Sequence, residues 1–257
     1  VEGHAKNLGA KYAPLKNPKA IVGNNGDVGR YLVTGKMTLN EMSDLKAEQG
    51  DWHKGGKKFA DESFKYSENY TKGKASSLSP LNVGQHTAQL DKMSVADWKR
   101  IEGYTNNHSS YYNNEQQQKM KGSEGMKFAS AIHKYAIPLA KDMWVTRQIS
   151  VNQPGMLQQY KDSAGLILQD AAMSGYSTSA KFSGNVSIHM RTSEDVNGLF
   201  VGSKSPKKNR VSGHAYEKEM MFSPGQRVAI TESYTASNGH VHLVGTMLPT
   251  LKEQCCG

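Results

Sequence analysis

SEGMKFASAIHKYAIPLAKDMWVTRQIS (123–150) changes its period half-way along. The first half sets Met126, Ala129 and Ile132 or His133 on one stripe, the mark of an amphipathic helix, and Pro138 ends it. From Met143 the apolar positions alternate, so MWVTRQIS (143–150) reads as a strand. Downstream the period stays at two. NVSIHMRT (185–192), GLFVGS (198–203), EKEMMF (217–222), QRVAITESYT (226–235) and HVHLVGTML (240–248) all read as strands. A short helix followed by a strand or turn fits 155–173. Upstream, MSVADWKRIEGYT (93–105) reads as a helix with Ser94 as N-cap before Trp98 and Ile101. MTLNEMSDLKAEQ (37–49) and KKFADESFKYSENY (57–70) are shorter helical segments. IVGNNGDVG (21–29) reads as turns, and KGKASSLSPLNVG (72–84) as a linker. Helices first and strands later indicate an α+β fold, not alternating βαβ units. The expected division is a helical, partly irregular region with its linker over 1–84 and a main domain over 85–257.

The bulk numbers bound the possibilities. A chain of 257 residues with 37% hydrophobic residues reads as globular, and a mean hydropathy of −0.65 reads as soluble. No apolar run approaches the roughly 20 residues that span a bilayer, and no signal peptide is visible in VEGHAKNLGAKYAPLK. The opening Val suggests excision from a longer polypeptide. The two cysteines, Cys255 and Cys256, are adjacent and cannot staple a fold, so stability must come from the core. A net charge of +9 favours acidic partners, whether protein surface, anionic membrane or nucleic acid. G-x-S-x-G, Walker and H-E-x-x-H patterns are all missing, which removes the common hydrolase and NTPase classes. His240 and His242 share a strand face but lack a third ligand at a convincing spacing, so they read as ordinary strand histidines and no metal is expected.

Three strand-borne features remain. Arg147 interrupts an apolar strand, Ser177-Thr178-Ser179 follows GLILQDAAM, and Glu217-Lys-Glu219 precedes MMFSPGQRVAI. If HAYEKEMMF (214–222) is a strand throughout, Glu217 and Glu219 share a face. An arginine, an S-T-S triplet and an E-x-E pair in this order resemble the R-S-E pattern of ADP-ribosyltransferases, in particular the branch with the clostridial actin-modifying toxins. The surroundings agree. DWKRIEGYTNNHSSYYNN (97–114) is similar to that family's W-x-x-I-x-x-Y-T…Y-x-x-I-N helices, AIHKYAIPLAKDMWVTRQI (131–149) to its segment before the arginine, and GLILQDAAMSGYSTS (165–179) to its approach to S-T-S. The resemblance covers about residues 90–248.

It implies a helical N-terminal part followed by two packed, roughly perpendicular mixed sheets with an NAD cleft between them. NAD would be a co-substrate. Cleaving nicotinamide leaves positive charge on the ribose, which a nearby carboxylate stabilises. The family assigns that role to the second glutamate, here Glu219, while Glu217 would orient and deprotonate an acceptor arginine. Ser177 would fix the Glu219 rotamer. Arg147 would clamp a phosphate, with Arg191 as the second phosphate-binding arginine. The backbone of Gln148 would hold the nicotinamide amide, and Thr178 and Ser179 would shape the ribose pocket. The family's nicotinamide-stacking aromatic falls at Ile188, with Phe182 as the substitute. The loop GSKSPKKNRVSGHAY (202–216) would recognise the target, Tyr216 included. The arginine is flanked by Thr146 and Gln148, where the family commonly has tyrosine and then glycine or arginine. The implied partner is a protein with an exposed arginine on an acidic surface, modified by a monomeric toxin or effector in the cytoplasm of a target cell. An NAD glycohydrolase, a transferase acting on nucleic acid and a non-catalytic basic binding module are the competing expectations.

Overall fold

The computed structural model describes residues 19–22, 28–50, 81–178, 184–202 and 218–250. Among them lie eleven strands and six α-helices. The strands are β1 (Lys19–Val22), β2 (Val28–Lys36), β3 (Ile137–Pro138), β4 (Trp144–Ile149), β5 (Leu166–Asp170), β6 (Ser174–Ser177), β7 (Val186–Thr192), β8 (Asn197–Phe200), β9 (Glu219–Phe222), β10 (Arg227–Thr235) and β11 (Val241–Leu248). The helices are α1 (Leu39–Gln49), α2 (Val83–Lys92), α3 (Val95–Gly103), α4 (Ser109–Gln117), α5 (Glu124–Tyr135) and α6 (Pro154–Lys161), with a π-helical turn, Tyr104–His108, joining α3 to α4.

The helix starts follow side-chain chemistry. Ser94 accepts from the Asp97 amide at 3.1 Å, which satisfies one of the donors left open at the start of α3. Thr38 and Glu41 close a capping box on α1, each side chain accepting from the other's amide at 3.2 and 2.8 Å. In α5 the buried stripe runs through Phe128, Ala129, Ile132 and Tyr135, and His133 is exposed. The helix ends at Tyr135, before Pro138. No described helix is long and apolar enough to cross a membrane.

The strands pair in the order β1-β2-β5-β10-β11-β7-β4-β6-β9-β8-β3. Only β7 and β11 run parallel; every other described pair is antiparallel. A single rung, Thr146 opposite Ser177, joins β4 to β6. The ladder therefore divides there into a seven-stranded and a four-stranded sheet. Val145, Ile188, Met190 and Leu243 of the larger sheet share one core with Tyr176, Phe200, Met220 and Phe222 of the smaller. A second core packs Leu90, Trp98, Ile101, Phe128 and Ile132 of the helices against Leu199 and Met221, on the other side of the smaller sheet. Leu45 of α1 covers Ile167, Ala229 and Leu248 of the larger sheet.

Two local expectations need correction. Part of 21–29 is strand, because Ile21 and Val22 pair with Tyr31 and Val28, and β2 continues into the sheet against β5. Cross-strand pairing outweighs the turn preference of the flanking glycines. The linker reading also ends too late, since Asn82 caps α2 by accepting from the Gln85 amide at 3.2 Å. The helix expected over 57–70 lies outside the described residues.

Candidate functional site

The short strands β6 and β9 place Ser177 directly opposite Glu219. In an antiparallel pair, opposed residues share a face, so both side chains leave the smaller sheet toward the helices. Glu219 is 9% exposed. Its carboxylate lies over Gly175: a Cβ built there would overlap Glu219 Oε1 and come within 2.9 Å of Cδ. Glycine is needed here for space, not for backbone freedom. Lys218, immediately before, has a left-handed φ of 47°, and β9 begins only at Glu219. Glu217, and with it the expectation that the two glutamates share a face, lies outside the described residues. Thr178 pins this corner, its amide and Oγ1 both donating to the Lys218 carbonyl at 3.1 and 3.0 Å.

Arg147 projects from β4 on the face of its rung partner Ile188, and its Nη1 donates to Asp170 Oδ2 at 3.1 Å. Arg30, from β2, holds the same carboxylate. Its Nη2 donates to Asp170 Oδ2 at 3.2 Å and to the Met173 carbonyl at 2.8 Å. Its Nε lies 2.5 Å from Oδ1, an ion pair without hydrogen-bond alignment. Burial opposes the charge on both arginines, but Asp170 and neighbouring phenols outweigh it and raise both above the usual arginine value. Tyr104, the first residue of the π turn, connects the two groups. Its ring stacks on Phe128 at 4.8 Å. Burial first, then the charge of Glu219, pushes the Tyr104 phenol up to about 12, while Arg30 and Arg147 pull it the other way. Arg30, Asp170 and Tyr104 were not among the candidate residues. A single charged residue in a strand carries no sequence signal of burial, and Tyr104 lay inside the similar helical segment without an assigned role.

Neither a family model nor a curated relative matches the sequence. Solved structures do. Plx2a, an ADP-ribosyltransferase toxin from Paenibacillus larvae, superposes with a TM-score of 0.52 over 72% of this chain and 96% of its own, at 14% identity. An ADP-ribosyltransferase from Clostridium botulinum gives 0.51 over 68% of this chain and 94% of its own, at 12% identity. The chain has the ADP-ribosyltransferase fold.

On that fold, the structure separates two arginines that the sequence reading joined. Arg191 lies three residues beyond Ile188 on β7, so it faces away from Arg147. There its Nη1 donates to Glu48 Oε2 at 3.0 Å and its Nη2 pairs with Asp142. Two acids on the α1 side occupy it, and it does not reach the Arg147 cluster. The side chain of Gln148 lies on the same far face, donating to Ser187 Oγ at 3.2 Å. Ile188 is 2% exposed and packed in the core between the sheets. Ser179, Phe182, Tyr216 and the recognition loop with Lys207 and Arg210 lie outside the described residues.

The far face also carries three stacked histidines. His189 and His242 approach at 3.1 Å between Nε2 and Nδ1, the His240 and His242 rings stack at 4.4 Å, and Ser187 Oγ lies 2.8 Å from His240 Nε2. Among the described residues no group of His, Cys, Asp or Glu is arranged to hold a metal. Burial, and then the neighbouring imidazoles, lowers His189 well below its usual value and His242 to about 3. Below about pH 6.5 the unfolded histidines take up protons that the folded ones refuse. Stability therefore rises with pH through this window and is lost as pH falls from about 6.5 toward 3. His242 alone accounts for about 2 kcal/mol by pH 5, or roughly 4–8 °C in Tm for a chain of this size. Thermal melts at pH 7.5 and 5.0 should show that drop, and His242→Gln should shrink it. A variant with the wild-type drop would contradict this.

Proposed function

We propose that this protein is a mono-ADP-ribosyltransferase that cleaves NAD and transfers ADP-ribose to an arginine of a target protein. The observation carrying this reading is the placement of Glu219: a buried carboxylate opposite Ser177, over a glycine, with Arg30 and Arg147 close enough that all three act electrostatically on Tyr104. Cleavage breaks the ribose C1′–nitrogen bond and its electron pair leaves with nicotinamide. The ribose becomes cationic, and a fixed carboxylate with little water around it is the group that stabilises such a charge. Arg147 clamps the diphosphate, the Gln148 backbone holds the nicotinamide amide, and Thr178, Ser179 and Phe182 complete the pocket. Glu217 takes the proton from the acceptor guanidinium as its nitrogen attacks C1′, and Tyr216 contacts the target. The arginine specificity rests on the E-x-E resemblance, and the role of toxin or effector in a target-cell cytoplasm on the resemblance and the named structural neighbours. The +9 charge suits a target with an acidic surface.

The test is incubation with labelled NAD and a cell lysate, with mass spectrometry of the modified band. Label on arginine is the expected result. Glu217→Ala should lose transfer yet keep NAD hydrolysis, and equal loss of both contradicts the division of roles. Because of the same positive charge, nucleic acid is the second acceptor to examine, and nuclease-sensitive label would identify it. Absence of NAD binding in calorimetry would leave a basic binding module on this fold.

A further inference from the structure

Asp170 is shared by two guanidiniums, and it holds them unequally. Arg30 is fully buried, while the Arg147 side chain is 11% exposed. Oδ1 faces Arg30 Nε and accepts from the Ala172 amide at 3.1 Å. Oδ2 accepts from Arg30 Nη2 at 3.2 Å and from Arg147 Nη1 at 3.1 Å. An ionised carboxylate offers about four acceptor positions; three accept hydrogen bonds and Arg30 Nε lies against Oδ1 as an ion pair. Arg147 thus receives one contact, not the two-point grip that a guanidinium and a carboxylate otherwise make. Among the described residues its Nε and Nη2 make no hydrogen bond. Two guanidiniums thus share this one carboxylate, and a largely buried arginine held by a single contact is a group that an arriving anion can satisfy further.

We propose that Arg30 is a positioning residue for substrate: by occupying Asp170 it keeps Arg147 singly held and positively charged, ready for the diphosphate of NAD. The inference rests on the functional reading above and adds to it a residue from the N-terminal hairpin. The hairpin is tied to the same corner through its backbone, since the Ala171 amide donates to the Arg30 carbonyl at 2.8 Å, in the turn that leads into β6 and Ser177. Remove Arg30, and Asp170 is open to draw Arg147 into a two-point pair, neutralising the group that should meet the phosphates. Remove the Asp170 charge as well, and nothing in the cluster competes with the diphosphate for Arg147.

Calorimetric NAD binding tests this, with melting curves to verify folding. Losing a charge-assisted contact of this type should weaken binding roughly tenfold or more in Arg30→Gln. Arg30→Lys keeps the charge but not the fork, and should fall between wild type and Arg30→Gln. The double variant Arg30→Gln/Asp170→Asn should return to within a few-fold of wild type. A purely structural Arg30 predicts that the double variant binds no better than the single, and that result overturns the proposal. So does a wild-type Kd in Arg30→Gln. If Arg30→Gln does not fold, the Arg30→Lys Kd decides: a several-fold rise supports positioning, and no change overturns it. Failure of the wild-type protein to bind NAD would instead remove the functional reading, and this inference with it.

Discussion

Glu219→Gln is expected to slow ADP-ribose transfer by about 10²–10³-fold, the usual cost of losing a fixed charge-stabilising group, while NAD affinity changes only a few-fold. The amide has the shape of the carboxylate, so it keeps the place over Gly175 and the rung with Ser177. What it loses is the negative charge, which matters most when positive charge develops on the ribose. The effect should therefore appear in kcat and not in KM. Melting temperature should hold or rise, because a buried carboxylate is harder to desolvate than an amide. A second readout is independent of turnover. Glu219 helps hold the Tyr104 phenol at about 12, so the variant should titrate that tyrosine at lower pH. A Glu219→Gln enzyme within threefold of wild-type kcat would remove Glu219 from the chemistry.

The strands after residue 143 were legible because alternation is a local property, and each of them must bury one face or both. Ser177 and Glu219 were legible as types in an order, and β6–β9 register places them on one rung. Three things were not legible, each for a physical reason. The β1–β2 hairpin is anchored in the sheet by the pairing of β2 with a strand more than 130 residues away, at Tyr31 opposite Asp170, which no window around its glycines contains. Arg191 sits at the position that the resemblance predicts, but its face follows from counting along β7 from the Arg147–Ile188 rung. Its two acidic partners come from α1 and from the turn before β4. The left-handed backbone at Lys218, where β9 has yet to begin, is not a conformation that the letter K announces.

Gly175→Ala is expected to cost nearly as much activity as Glu219→Gln, about 10²-fold in kcat, with little loss of stability. The added methyl meets the carboxylate of Glu219 before anything else, with Cδ at 2.9 Å and Cγ at 3.3 Å as the next atoms. These are the far end of a flexible side chain, so the strand need not move; the carboxylate must. It swings off the rung with Ser177, and catalysis that depends on its position within a fraction of an ångström fails. Gly198→Ala is the contrast. Its methyl would crowd Leu139, Met220 and Phe222 at 3.0–3.2 Å, all packed core atoms. Overpacking of that kind costs about 1–3 kcal/mol and should lower Tm while leaving kcat close to wild type. Measuring kcat and Tm for both variants separates space kept for chemistry from space kept for packing. If Gly175→Ala loses stability and keeps activity, the glycine serves the strand alone, and the position of Glu219 over it has no part in the reaction.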